Sequence, residues 1–236
     1  QRRVAFIVPG KQLHMPFLVI SLTDKEEKFR LPKQQKLRPA SQVLLLYHLV
    51  KEPLDACNFQ TIAEKIGYSA MTVKRGAEEL EAYGLARKEG KNEKFIRFIA
   101  IGKMLWDMAL PYLNSPVKID YQIDQLPPDT ILKKAGTTAL SEYTMLEAGP
   151  LPVYAVYEGS RKAFEKKLRT GEIEFFGGGN IEIEIWTYDP AILSIGESVD
   201  PLSLYLSLPS YKLDERTQLA KEELLKIAHG NGTGFI

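Results

Sequence analysis

The sequence predicts an α+β fold, and three observations carry that expectation. Residues 58–98 run through a helical spacing, a glycine turn, a second helical spacing and a charged hairpin pattern. Residues 115–236 mix short alternating runs with helical ones, as a sheet covered by helices requires. Charge divides the chain as well: residues 1–120 hold 20 Lys plus Arg against 13 Asp plus Glu, and residues 121–236 hold 11 against 17. The net +1 therefore hides two halves of opposite sign. Three segments are expected: 1–37, 38–114 and 115–236.

In segment 1–37, the apolar runs VAFIV and MPFLVISL are parted by Pro9-Gly10-Lys11 and read as a β-hairpin or two strands. Asp24 to Arg38 follows as a charged, exposed linker. Pro39 to Lys51 carries Val43, Leu44, Leu45, Leu46, Tyr47, Leu49 and Val50, too many apolar positions for a one-sided helix, so this helix is expected to be largely buried. Pro53 ends it.

The run Phe59 to Ile66 places Phe59, Ile62, Ala63 and Ile66 on one face. Gly67 can take φ > 0 and close the helix, and Ser69 is positioned to cap a second helix from Ala70 to Tyr83. Val73, Ala77 and Leu80 form the apolar stripe of that helix. Met71, Arg75 and Glu78 fall opposite the stripe, with Thr72 and Lys74 on the flanks. LARK and KFIRF then surround Glu89-Gly90-Lys91-Asn92-Glu93, the pattern of a hairpin. Helix-turn-helix followed by hairpin is the order of a winged helix-turn-helix domain. A recognition helix would read base edges in the major groove and the wing would touch phosphate or the minor groove. The residues expected to contact double-stranded DNA are Ser69, Met71, Thr72, Lys74 and Arg75 on the helix, and Lys91, Asn92, Lys94 and Arg97 on the wing. Arg87 and Lys88 add to the wing's charge.

The stretch FQTIAEKIGYSAMTVKRGAEELEAYGLARKE, residues 59–89, resembles the winged-helix portion of MarR-type transcriptional regulators. Its Ile62-Ala63-Glu64, the Gly67 turn, the S-x-x-T-V start at Ser69 and the L-E-x-x-G-L exit at Leu80 carry the resemblance. The resemblance implies a DNA-binding transcriptional regulator acting as a homodimer. Helices outside the winged-helix core build the dimer interface in that family, which makes Trp106, on an expected helix from Gly102 to Leu113, a candidate for it. Packing of Trp106 against the other half of the chain is the alternative.

Beyond this point VKIDYQI, bracketed by Ser115-Pro116 and Leu126-Pro127-Pro128, reads as a strand at the join between domains. Thr137–Leu146, Ser160–Leu168 and Leu213–Ala228 read as helices, and PVYAVY, EIEFF and IEIEIW as strands. In the last of these, Ile181, Ile183 and Ile185 alternate with Glu182 and Glu184, so one face should be buried and the other should carry carboxylates to solvent. KKAGTTALSEYTML, LPVYAVY and the run from Val199 to Leu225 are similar to the C-terminal half of regulators related to type IV abortive-infection antitoxins. That resemblance implies a toxin-like protein partner at residues 121–236, with an antitoxin or adaptor role as the alternative to DNA-binding repression.

Enzymatic readings find less support. Gly159-Ser160 followed by Glu172 and Glu174, with Glu182 and Glu184 further on, has the outline of a nucleotidyltransferase site, but Glu stands where Asp is usual and strand alternation produces E-I-E unaided. Gly177-Gly178-Gly179-Asn180 lacks the Gly-Lys-Ser/Thr ending of a phosphate loop. Cys57 is the single cysteine, and His14, His48 and His229 show no ligand spacing. No catalytic residue, cofactor or metal is expected. No apolar run approaches the roughly 18 residues of a membrane span, and the N-terminus lacks a signal-peptide core, so a cytoplasmic protein without membrane contact is expected.

Overall fold

The computed structural model describes residues 6–8, 12–15, 20–23, 36–55, 57–90, 94–127, 132–170, 179–208 and 214–230. The chain forms two compact units, Gln1–Gln35 and Lys36–Ile236. It is mixed α and β, with small sheets and eight α-helices among the described residues. None of those helices is long and apolar enough to cross a membrane.

The first unit contains an antiparallel meander of β1 (Phe6–Val8), β2 (Gln12–Met15) and β3 (Ile20–Thr23). The apolar run MPFLVISL is therefore shared between two strands, because β2 ends at Met15 and β3 begins at Ile20. Three strands replace the expected two.

The second unit opens with α1 (Pro39–Val50), whose proline at the first position needs no hydrogen-bond acceptor there. Eight of its residues are buried, as its excess of leucines requires. Next come α2 (Phe59–Ile66) and α3 (Ala70–Ala82). The Asn58 side chain accepts the Thr61 N–H at 2.9 Å, and the Ser69 hydroxyl accepts the Thr72 N–H at 3.1 Å, so each helix starts on a side-chain cap. Gly67 sits at φ 68°, a left-handed conformation that costs other residues about 1 kcal/mol and that closes α2 by its N–H bond to Ala63. A hairpin of β4 (Ala86–Glu89) and β5 (Phe95–Phe98) follows, and Asn58 adds a single bridge to Phe95 at its edge.

After α4 (Gly102–Ala109) the chain enters a four-stranded sheet. Its order is β6 (Val117–Ile123), β9 (Ile181–Trp186), β8 (Val153–Tyr157), β7 (Lys133–Lys134), with β8 and β9 parallel and the outer pairs antiparallel. The segment VKIDYQI is thus an edge strand of this sheet, as its alternation suggests. Helix α6 (Arg161–Thr170) sends Phe164 and Leu168 onto one face, against Ile123, Val156, Ile183 and Ile185. The other face meets α5 (Gly136–Tyr143), α7 (Pro201–Ser207) and α8 (Glu215–Gly230) in a core that continues into α1 to α4. Residues 36–236 share that one core across position 114. Trp106 is only 1% exposed and meets the Tyr205 ring of α7 edge-on at 5.8 Å, so it packs within the chain and is not presented to a second copy.

Covering both faces of the sheet changes the reading of IEIEIW. Glu184 is 7% exposed instead of solvent-facing, and its Oε2 accepts the Trp186 indole N–H at 2.8 Å. Glycine at 159 also has a packing cause, since a Cβ there would lie 2.4 Å from the Tyr157 ring. The expected strand EIEFF, with Glu172 and Glu174, lies outside the described residues.

Candidate nucleic-acid interface

Helix α3 divides cleanly. Val73, Gly76, Ala77 and Leu80 are buried, and Met71, Lys74, Arg75 and Glu78 are exposed. Met71 is 56% exposed although apolar. Among the described residues, Lys74 and Arg75 take part in no ion pair or side-chain hydrogen bond. Two adjacent unpaired cations beside an exposed methionine make a surface able to meet phosphate and base edges.

Ser69 and Thr72 have a different employment. Ser69 Oγ lies 2.9 Å from Thr72 Oγ1 in addition to accepting the Thr72 N–H, so both hydroxyls build the start of α3. Their expected role as contacts is therefore combined with, and limited by, capping.

The hairpin has an inner and an outer face. Ala86, Ile96 and Phe98 are buried, while Arg87, Glu89 and Arg97 are exposed. Arg87 and Arg97 are cross-strand partners, which places two guanidinium groups on the outer face. Arg97 Nε bonds Glu89 Oε2 at 3.0 Å. Lys94 Nζ donates to the Gly90 carbonyl at 2.6 Å. Lys91 and Asn92 lie outside the described residues. Arg87, absent from the expected contact set, is signalled in the sequence by the alternation of LARK, which puts it on the face opposite Ala86.

Lys88 points the other way and braces the hairpin to α3. Its ammonium lies 3.1 Å from Glu81 and 3.7 Å from Glu78, and its backbone N–H donates to Glu81 at 3.0 Å. The backbone and ammonium of Lys88 hold the Glu81 carboxyl below its ordinary range.

The root of the hairpin is fixed from α1. His48 stacks on Phe98 at 4.0 Å, and its Nδ1 accepts the Leu54 N–H at 3.1 Å. Asp55 accepts the Phe98 N–H at 2.9 Å and sits 3.6 Å from His48 Nδ1. An accepting Nδ1 means a neutral ring protonated at Nε2. Burial lowers the His48 pKa, and the Asp55 charge opposes that shift.

Charge is less generous here than the division of the whole chain suggests. Residues 38–114 carry 11 Lys plus Arg against 9 Asp plus Glu, and residues 1–37 carry 8 against 3. Most of the basic surplus thus precedes the helices. What favours an anion at α3 is the local arrangement of free cations, not the segment's total charge.

In the sheet, Asp120 and Glu184 are cross-strand partners and Glu182 lies two residues from Glu184. Burial, helped by Glu182 and Asp120, pushes Glu184 up to about 7 against the opposing Trp186 bond. Among the described residues, no group of three or more His, Cys, Asp and Glu side chains is arranged to hold a metal ion. Compared with protein-family models, curated proteins and solved structures, the chain matches none of them.

Proposed function

We propose that this chain is a DNA-binding transcriptional regulator of the winged helix-turn-helix type. Helix α3 enters the major groove with Met71, Lys74 and Arg75, and the β4–β5 hairpin lies along the backbone or minor groove with Arg87, Lys94 and Arg97. The observation that carries this reading is the unpaired Lys74–Arg75 face on a helix whose opposite face is core. In a homodimer two such helices would address a two-fold symmetric site, and repression would follow from occupying a promoter.

Selection from a randomised duplex library, followed by binding isotherms at several salt concentrations, tests it. Arg75→Ala is expected to cost about 1–3 kcal/mol and to relax preference at one position, whereas Lys94→Ala weakens all sequences alike and lowers the salt slope by about one. Undiminished binding by the Arg75→Ala/Lys94→Ala double variant would remove the assignment.

A further inference from the structure

Both free cations of α3 have an acidic residue one helical turn onward: Glu78 is four residues after Lys74, and Glu79 four after Arg75. Side chains at that spacing are neighbours and pair readily. This chain does form such pairs elsewhere with the cation first. Arg161 Nε bonds Glu165 at 2.6 Å on α6, and Lys103 bonds Asp107 at 2.5 Å on α4. On α3 neither pair forms.

The carboxylates of α3 are engaged from outside the helix. Three donors converge on Glu79 Oε2: the Arg38 backbone N–H at 3.3 Å, Arg38 Nε at 3.2 Å, and the Ser41 hydroxyl. These groups sit at the N-terminus of α1, so Glu79 also supplies the negative charge that this helix end favours and that its own first turn lacks. Close approach of the two helices makes the reach short. Gly76 faces α1, where a Cβ would lie 3.5 Å from Ser41 Oγ. Arg38 is itself fixed by its neighbours, because Leu37 N–H donates to the Tyr112 carbonyl at 2.8 Å and Asn114 Nδ2 to the Leu37 carbonyl at 3.0 Å. Glu78 is drawn in the same sense, more weakly, by Lys88 at 3.7 Å.

We propose that Arg38 and Ser41 are positioning residues for DNA binding: by holding Glu79 against α1 they keep its carboxylate from pairing with Arg75, which leaves the Arg75 guanidinium available to DNA. The inference rests on the DNA-binding reading and goes beyond it, since neither residue need touch the nucleic acid. A carboxylate paired with Arg75 would have to be displaced by each phosphate or base edge, so losing the α1 donors weakens binding through Arg75 alone.

The test is a double-mutant cycle on the full chain, with a fluorescein-labelled mixed-sequence duplex as probe. Removal of the two side-chain donors by Arg38→Ala with Ser41→Ala is expected to weaken binding about twofold when Glu79 is present. The same removal should cost nothing in the E79Q background, where no carboxylate remains to be released. Arg38→Lys, which keeps a cation beside Glu79, should retain most of the affinity, and a thermal melt of each variant reports folding separately. Equal losses in both backgrounds would mean that Arg38 contacts DNA itself and would overturn the proposal. So would the absence of any loss in a folded donor variant. An Arg75→Ala variant that binds as well as the parent chain overturns the DNA-binding site instead, which keeps the two failures distinct.

Discussion

Residues 36–114 and residues 115–236 share one core and both pair charges at the surface, but they differ in the charges they bury. In the first, acidic and basic side chains meet at the surface, as in Lys65–Glu52, Arg97–Glu89 and Lys88–Glu81, and the buried His48 beside Asp55 is neutral. In the second, Glu184, Asp200 and Lys221 lie within the packed interior at 7%, 1% and 5% exposure. Each is held by a specific partner. Glu184 takes the Trp186 indole, Asp200 caps α7 by accepting the Ser203 N–H at 2.8 Å, and Lys221 donates to the Leu208 carbonyl while lying 4.6 Å over the Tyr205 ring. Surface pairs of the first kind add little to stability but decide which cations are left over for a ligand. Buried groups of the second kind make folding depend on pH.

The largest effect should come from Glu184. Burial raises its pKa from 4.5 to about 7, so between those values the folded chain binds protons that the unfolded chain has released. The contribution of Glu184 to stability is full below about pH 4.5 and is lost as pH rises toward 7, by roughly 3 kcal/mol for the whole shift. Asp200, raised to about 6 by the same cause, acts in the same direction. Glu184→Gln keeps an oxygen for the Trp186 N–H and removes the charge. Urea denaturation should show the variant more stable than the parent above neutrality, by about 2–3 kcal/mol, with the gain vanishing in acid. A gain that is the same at every pH would mean that packing, not ionisation, governs this position.

His48 should respond in the reverse sense, which sharpens the contrast. Its folded pKa lies below the unperturbed 6.5, so the unfolded chain takes up the proton first as pH falls. The stabilisation is present above 6.5 and is lost below it. Protonation at Nδ1 would also end its acceptance of the Leu54 N–H and turn it toward Asp55, loosening the root of the hairpin. His48→Gln should lower stability at neutral pH by about 1 kcal/mol, the worth of one buried hydrogen bond, and remove the part of the acid-side decline that His48 causes. Imidazole nitrogen shifts measured across a pH titration would identify the Nε2–H tautomer directly. An Nδ1–H ring at neutral pH would contradict this account.

How much of this was legible in the sequence follows the range of the forces involved. The end of α2 and the start of α3 could be read because Gly67 and Ser69 act on atoms within a few residues of themselves. The exposure of Met71, Lys74 and Arg75 followed from helical spacing alone. The engagement of Glu79 could not be read, since its partners lie 38 and 41 residues away. Glu184 failed for a related reason: alternation places it opposite Ile183 and Ile185, but only the arrival of α5, α7 and α8 decides that its own face is covered too. Helix α7 was missed because PLSLYLS has no polar side to give a period, although Asp200-Pro201 carried a start signal.

The smallest effect tests the contact on which the α3 geometry depends. Gly76 is buried in the middle of α3, where glycine costs about 0.5–1 kcal/mol relative to alanine. Its backbone is not in the left-handed region, and an added Cβ would meet Ser41 Oγ at 3.5 Å and Leu44 Cδ2 at 3.6 Å, both ordinary contacts. The helix gain should therefore exceed any crowding, and Gly76→Ala should raise the denaturation midpoint by the equivalent of about 0.5 kcal/mol or slightly more. DNA affinity should change little, because the methyl group fills existing space between α1 and α3 without parting them. A destabilised variant would show that the two helices need to approach more closely than these contacts require, and the hold of Ser41 on Glu79 would then depend on glycine at 76.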